Sequence, residues 1–123
     1  MPILIIYGIP TETNEEDLNI VCELMRQRIA SVRELKIEKE QVSVFFPKDL
    51  MSKGLGEEII IFVEGLKESP ERTENVKRML IYHLIDGAHC LFPKATLIEC
   101  IIKPYVMAGF GKESDNCFFS DIR

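Results

Sequence analysis

The feature that most constrains the fold of this 123-residue chain is a strand-helix-strand pattern that occurs twice. Apolar runs that predict strands open the two copies at about residues 2–9 and 58–63, and further runs close them at 42–46 and 97–102. Between the strands, apolar residues recur at helical spacing. Because parallel strands joined by a helix cross over with one hand, two such units form a four-stranded mixed sheet with both helices on one face. The predicted fold class is therefore α/β (α+β), built from two consecutive β-α-β units.

Local signals predict where each helix begins. Thr13, with Glu16 three residues later, is typical of a capping box at the start of the first helix. Ser69 followed by Pro70 predicts the start of the second helix, with serine at the cap and proline at the first helical position. The apolar stripe of the second helix includes His83, which we interpret as a hydrogen-bonded core histidine.

The predicted strands are too apolar for a sheet that is covered on one face only. Such strands usually alternate apolar and polar residues, yet residues 3–6 and 59–63 are apolar throughout. Two helices can cover one face, and an exposed apolar face is a site of association. We predict that other copies of the same chain bury the second face.

Composition and charge exclude several kinds of partner and site. The net charge is −5 and no basic run occurs, which disfavours nucleic acid and anionic membranes. No segment resembles a signal peptide or approaches the ~18 apolar residues of a membrane span, so we expect a cytoplasmic protein. His83 and His89 lie six residues apart, too far for a helical metal pair, and we predict neither a metal nor a cofactor. The cysteines show no zinc spacing; the first three read as core residues and the last as an exposed thiol: Cys22, Cys90, Cys100 and Cys117.

Pro2 follows Met1 directly and opens the first predicted strand. Proline is small enough to allow methionine aminopeptidase to remove Met1, which would leave a secondary amine at the chain end. A terminal amine titrates near ~7.7–8.0, and burial lowers its pKa because desolvation disfavours the charged form. The amine would then be a free base at neutral pH. Proline also suits the first position of a strand for structural reasons alone, so both interpretations stay open here.

The N-terminal proline on a strand and the two β-α-β units resemble the tautomerase superfamily, which includes macrophage migration inhibitory factor and 4-oxalocrotonate tautomerase. The resemblance implies a tautomerase-like domain over residues 1–111 and a C-terminal tail over 112–123. Residues 53–56, Lys-Gly-Leu-Gly, look like a glycine-containing loop of that family, and Gly109-Phe110 resembles a Gly-aromatic pair of its longer members. Members with two units per chain are homotrimers whose sheets surround a central barrel, so the resemblance also implies a homotrimer that needs no cofactor.

The resemblance makes Pro2 the general base and implies cationic groups that hold a substrate carboxylate. The arginines of the small bacterial enzymes would fall near Thr11 or Glu12 and at Ser43, and none of these is arginine. The tyrosine and asparagine of the longer members would fall at Leu97 and Glu99. Tyr7 and Tyr105 are candidate phenolic donors, with packing as the default role. The substitute substrate-binding candidates are Lys36, Lys39, Lys48, Lys53 and Phe110.

Three hypotheses for the function follow. The first is an isomerase, a keto–enol tautomerase that acts on a small enolisable 2-oxo acid or a phenylpyruvate-like compound through Pro2. The second is a non-catalytic homotrimer of the same fold with a binding or structural role. The third is a ferredoxin-like ligand-binding module, which has the same element types and needs no trimer.

Overall fold

The structure, a computed structural model, describes residues 2–10, 12–48 and 58–105. The two β-α-β units are present in the predicted order. Two short 3-10 turns, Arg33–Leu35 and Lys39–Gln41, connect the first helix to the second strand. The strands and helices are β1 (Ile3–Tyr7), α1 (Glu15–Ala30), β2 (Ser43–Phe45), β3 (Glu58–Lys67), α2 (Glu74–Leu91) and β4 (Leu97–Tyr105).

The four strands form one mixed sheet in the order β2-β1-β3-β4. β1 is parallel to β2, β3 is parallel to β4, and β1 and β3 are antiparallel neighbours at the centre. In the pairing of β1 with β3, Ile3 lies opposite Glu64 and Tyr7 opposite Ile60. This arrangement confirms the predicted four-stranded mixed sheet.

The hydrophobic core lies between the two helices and one face of the sheet. Along β1 and β3 the side chains alternate between buried and half-buried, because successive residues of a strand point to opposite faces. The helices contribute the residues of their buried stripes to the same core. Both helices therefore cover one face, as predicted. The most deeply buried members include Leu4, Ile6, Met25, Ile29, Ile59, Ile61, Leu80 and Leu84.

The first helix begins one residue later than its sequence signal indicates. The Oδ1 atom of Asn14 accepts a hydrogen bond from the Asp17 backbone N–H at 2.7 Å, so Asn14 is the cap. The backbone N–H of Thr13 instead donates to the Pro10 carbonyl at 3.0 Å, which places Thr13 in the preceding turn. The predicted capping box at Thr13 is thus wrong, because asparagine supplies the capping oxygen.

The second helix also begins later than predicted. The Ser69 carbonyl accepts the Arg72 backbone N–H at 3.0 Å, so Pro70 occupies the second position of a turn, where its fixed φ is equally suitable. The helix is capped by Thr73, whose hydroxyl accepts the Val76 N–H at 3.3 Å. A turn and a helix start share this proline preference, which explains the wrong prediction.

The histidine and cysteine predictions are only partly confirmed. His83 is half-buried and its ring lies 5.9 Å from that of Tyr82, so it borders the core instead of filling it. Cys22 and Cys100 are half-buried, whereas Cys90 is exposed, which makes the core prediction wrong for Cys90. Cys117 and the predicted tail, 112–123, lie outside the described residues.

Across the described ranges, neither helix combines the length and apolarity needed to cross a bilayer.

Candidate active site

Pro2 is buried at the N-terminal end of β1. On one side its carbonyl accepts a hydrogen bond from the Ser43 backbone N–H of β2 at 3.3 Å. On the other side, the pairing of Ile3 with Glu64 places Gly65 of β3 opposite Pro2. Alternation along β1 puts Pro2 on the same face as Leu4, which faces the helices. Pro2 therefore lies between two strands and beneath the helical layer.

The strand opposite Pro2 is irregular at Gly65. This glycine has a φ of +76°, and the pairing of β3 with β4 shifts register between Glu64 and Leu66. A glycine in the left-handed region at such a shift is typical of a β-bulge, which bends the strand and interrupts its ladder. β3 nevertheless continues to Lys67, four residues beyond its predicted end. Bulges are common next to active sites, and this one faces Pro2.

One end of the sheet collects the start of β1 and β2 and the end of β3 and β4, because the two pairs of strands run in opposite directions. We call this the Pro2 end. The segment between α1 and β2 lies there and carries Lys36 and Lys39. Lys48 follows β2 and so lies toward the opposite end of the sheet, away from the Pro2 of the same chain. The other candidates, Lys53 and Phe110, lie outside the described residues, as does Thr11.

The two lysines of the Pro2 end differ in their surroundings. The Nζ atom of Lys39 lies 2.8 Å from Oε1 of Glu23, and this hydrogen-bonded pair raises the pKa of Lys39 and lowers that of Glu23. Lys36 is exposed and has a φ of +55°. Its positive charge contributes to a lowered pKa of Glu71, after hydrogen bonds from the Glu71 backbone and the Ser69 side chain. Lys36 is therefore the more accessible cation for an incoming anion.

Two arginines at the Pro2 end were not foreseen from the sequence. Nε of Arg26 donates to the Val42 carbonyl at 2.9 Å. Arg72 donates from Nη2 to the Leu35 carbonyl at 2.9 Å and from Nη1 to the Lys67 carbonyl at 2.8 Å. Both arginines bind backbone carbonyls of segments at the Pro2 end. Arg26 borders the apolar stripe of α1, but its place on the helix does not reveal the carbonyl 16 residues away that it binds.

The sheet face turned away from the helices carries a row of apolar side chains. The rings of Tyr7 and Phe62 meet edge to face with centroids 5.7 Å apart, so Tyr7 has the packing role. Phe45 is 55% exposed and Ile101 is 39% exposed. This surface, named the open face below, comprises Ile3, Ile5, Tyr7, Phe45, Ile60, Phe62 and Ile101.

A charged pair borders the open face at the Pro2 end. The ammonium of Lys103 lies 4.4 Å above the centre of the Phe62 ring and 3.6 Å from a carboxylate oxygen of Glu64. A cation above an aromatic face is attracted by the ring quadrupole. Lys103 is thus tied to β3 by two contacts on this face. Tyr105, at the end of β4, pairs with Lys67 and so belongs to the same end of the sheet.

The positions where the resemblance would place the family's arginines, tyrosine and asparagine do not lie together in this structure. Ser43 lies beside Ile3 at the Pro2 end. Glu12 precedes α1 and lies toward the other end. Glu99 is exposed and pairs with Ile60, and Leu97 is half-buried at the start of β4. An exposed carboxylate at Glu99 disfavours an anionic ligand near that position.

Metal and thiol chemistry find little support in the described part of the chain. There, no group of three or more histidine, cysteine, aspartate or glutamate side chains could hold a metal ion. Burial raises the pKa of the Cys100 thiol to about 12. Because the thiolate is the reactive form, Cys100 is an inert thiol at neutral pH.

Several solved structures have a similar fold. The wild-type asymmetric trimer of a fused 4-OT designated F6 has a TM-score of 0.67 at 22% identity, over 92% of this chain and 94% of that chain. Pt0534, in a crystal structure of the protein inactivated by 2-oxo-3-pentynoate, has a TM-score of 0.66 at 14% identity, over 91% and 93%. N1, a member of the cis-3-chloroacrylic acid dehalogenase family, has a TM-score of 0.63 at 15% identity, over 98% and 88%.

No protein-family model matches the sequence, and no curated protein matches it at a significant level. The structural likeness nevertheless covers nearly the whole chain in each of the three proteins. The chain therefore has the fold of the tautomerase superfamily, as its resemblance implied.

Proposed function

We propose that this protein is a keto–enol tautomerase, an isomerase that acts on a small enolisable 2-oxo acid or a phenylpyruvate-like compound. Pro2 acts as the general base after removal of Met1. The observation that carries the proposal is the place of Pro2, buried at the start of β1 and opposite the bulge at Gly65. The fold shared with fused 4-OT and Pt0534 supports it.

The proposed reaction moves one proton within the substrate. The neutral Pro2 nitrogen takes a proton from the carbon next to the substrate carbonyl, and the electron pair of that C–H bond forms the C=C bond of an enolate. The carbonyl oxygen receives the charge and then a proton, which gives the enol and returns the amine to its neutral form. A base at the end of a strand can do this only if its pKa lies near the working pH. Burial disfavours the charged form of an amine and so lowers its pKa toward neutral pH.

Cations at the Pro2 end are proposed to hold the substrate carboxylate. Lys36 is the first candidate because it is exposed there, and Lys39 is the second because Glu23 already neutralises part of its charge. Lys48 lies at the opposite end of the sheet from the Pro2 of its own chain. It could therefore bind only a substrate held at the Pro2 of a neighbouring copy. Lys53 and Phe110 remain proposed contacts of the substrate.

A homotrimer is part of the proposal. The open face presents Phe45 and Ile101 to solvent in a single chain, and burial between copies would remove this apolar surface from water. The F6 fused 4-OT is a trimer of chains with a similar fold, which supports assembly of this kind. A trimer would also exclude the ferredoxin-like module, which covers its sheet without partners.

A second candidate function, a non-catalytic trimer, is favoured by the residues that replace the family's binding groups. Glu12 and Ser43 supply no positive charge, and Glu99 presents an exposed carboxylate. If Met1 stayed attached, the Pro2 nitrogen would be an amide and could not act as a base. The two candidates therefore differ in the chemical state of one nitrogen.

The first experiment is the intact mass of untagged protein expressed at a low level, followed by assay of phenylpyruvate ketonisation. We expect a mass lacking one methionine and a rate that is lost when a leucine is inserted between Met1 and Pro2. The insertion keeps every native residue but prevents trimming, so it is matched to the wild type. Pro2→Ala, which leaves a primary amine, should lower the rate without abolishing assembly.

A chemical probe tests the same nitrogen without turnover. 2-Oxo-3-pentynoate inactivates Pt0534, and its conjugated triple bond can accept an amine, with a new N–C bond formed and the amine proton moved to carbon. We expect an adduct on the N-terminal peptide of trimmed protein and none on the insertion variant. A trimmed protein that neither reacts nor accelerates ketonisation would leave the non-catalytic trimer as the function.

A further inference from the structure

A single peptide plane connects Arg26 to Pro2. The carbonyl of Val42 accepts a hydrogen bond from Arg26 Nε at 2.9 Å. The N–H of the same peptide unit belongs to Ser43 and donates to the Pro2 carbonyl at 3.3 Å. Because a trans peptide is planar, its C=O and N–H point in opposite directions. Arg26 therefore binds the carbonyl side of this peptide, and the N–H side of the same peptide binds Pro2.

Pro2 has few other ways to be held by the backbone of the sheet. Proline has no peptide N–H to donate, so its carbonyl is the group that can join it to a neighbouring strand. Removal of Met1 would make Pro2 the chain terminus, and terminal residues fray unless they are tied down. The strand that receives it, β2, has only three residues and lies at the edge of the sheet. An anchor for β2 is thus also an anchor for Pro2.

The guanidinium is a strong anchor for this purpose. Hydrogen bonds from a charged donor are shorter and stronger than neutral ones. A bond to the carbonyl also polarises the peptide, so that its N–H becomes a better donor to the next acceptor. Arg26 arises from α1, which packs on the core through Met25 and Ile29 on either side of it in sequence. The anchor therefore rests on a rigid element.

We propose that Arg26 is a positioning residue for Pro2, acting through the Val42–Ser43 peptide. This inference rests on the proposed function, since it assigns to Arg26 the task of fixing the nitrogen that moves the proton. Arg26 donates to a backbone carbonyl, and the proposal gives it no contact with the substrate. Its loss should therefore lower the rate of proton transfer at a bound substrate and leave substrate affinity unchanged.

The test compares Arg26→Gln, Arg26→Lys and the control Arg28→Gln. Arg28 lies on the same helix and binds Asp86 at 2.8 Å and the His83 carbonyl at 3.5 Å. It therefore also connects α1 to another element, but that element is α2 and not β2. With phenylpyruvate we expect about a tenfold fall in kcat for Arg26→Gln, with KM within about twofold of wild type. Arg26→Lys should recover at least part of kcat, and Arg28→Gln should keep the wild-type kcat.

A second readout does not need turnover. Hydrogen exchange of the Ser43 amide, followed by NMR, should quicken about fivefold or more in Arg26→Gln relative to core amides of β3. Arg28→Gln should leave this ratio unchanged. If Arg26→Gln fails to fold, the same comparison is made with Arg26→Lys, for which a smaller increase is expected.

Two results would overturn the inference. One is an unchanged Ser43 exchange ratio in the Arg26 variants. The other is a raised KM at constant kcat, because that pattern would make Arg26 a substrate-binding cation. A wild-type protein without turnover would refute the proposed function alone, since faster Ser43 exchange in the variant would still show the structural link to Pro2.

Discussion

Replacement of Phe45 by lysine should separate the copies of this chain. A phenylalanine presents roughly 200 Å² of surface, so the 55% exposed fraction of Phe45 leaves about 110 Å² in water. At about 25 cal/mol per Å², its burial between copies would contribute about 3 kcal/mol for each chain. Three chains would lose on the order of 8 kcal/mol, or five to six powers of ten in the dissociation constant.

Sedimentation velocity at micromolar concentration measures this change directly. We expect the wild type to sediment as a trimer and Phe45→Lys as a monomer with an unchanged circular dichroism spectrum. Tyr82→Lys is the matched control, because Tyr82 is 67% exposed on α2 and lies away from the open face. A trimeric Phe45→Lys, or a monomeric wild type, would refute the argument that the open face is buried by other copies.

Two further predictions concern stability. Gly8 has a φ of +86° and an added Cβ would overlap the Glu58 carbonyl oxygen, so Gly8→Ala should cost about 2–4 kcal/mol of unfolding free energy in urea. Gly87→Ala is its control, since there the nearest atom to the added carbon is the flexible end of Met25 at 3.1 Å and the change should stay within about 1 kcal/mol; equal losses would contradict the backbone argument. The pKa of Cys100 is raised to about 12 in the folded protein, whereas an unfolded thiol ionises near ~8.5. Between these values only the unfolded chain loses the proton, so stability falls with rising pH by up to about 1.4 kcal/mol per unit. Cys100→Val should flatten this slope between about pH 9 and 11, and parallel stability curves for the two proteins would contradict it.

The four-stranded mixed sheet with both helices on one face could be predicted because the signals are local, whereas the order β2-β1-β3-β4 comes from the structure. Apolar runs separated by helical spacing define each β-α-β unit, and the crossover rule then limits the topology. The ends of elements were less predictable, since the same residue types serve two purposes. Pro70 suits a turn as well as a helix start, and Asn14 competes with Thr13 for the cap. The apolar run that predicted β3 ends at residue 63, whereas a bulge at Gly65 lets the strand continue to Lys67.

The candidate site was harder to read because its contacts join distant parts of the chain. Pro2 could be singled out, since the chemistry proposed for it starts from its place next to Met1 in the sequence. The anchoring role of Arg26 depends on a carbonyl 16 residues away, and a charge on a helix gives no hint of a backbone acceptor. Lys48 was a candidate for substrate binding in the sequence, but β1 and β2 are parallel, so a residue that follows β2 lies at the end of the sheet away from Pro2.

The two β-α-β units are built alike, yet under the proposed mechanism only the first of them supplies a basic backbone nitrogen. The first unit starts with Pro2, whose nitrogen the proposal frees by removal of Met1, whereas the second starts at Glu58, whose nitrogen belongs to a peptide bond. Because the central strands are antiparallel, the two starts lie at opposite ends of the sheet. The near symmetry of the fold would therefore not extend to the proposed chemistry, because a trimmed chain offers a basic backbone nitrogen at only one end of its sheet.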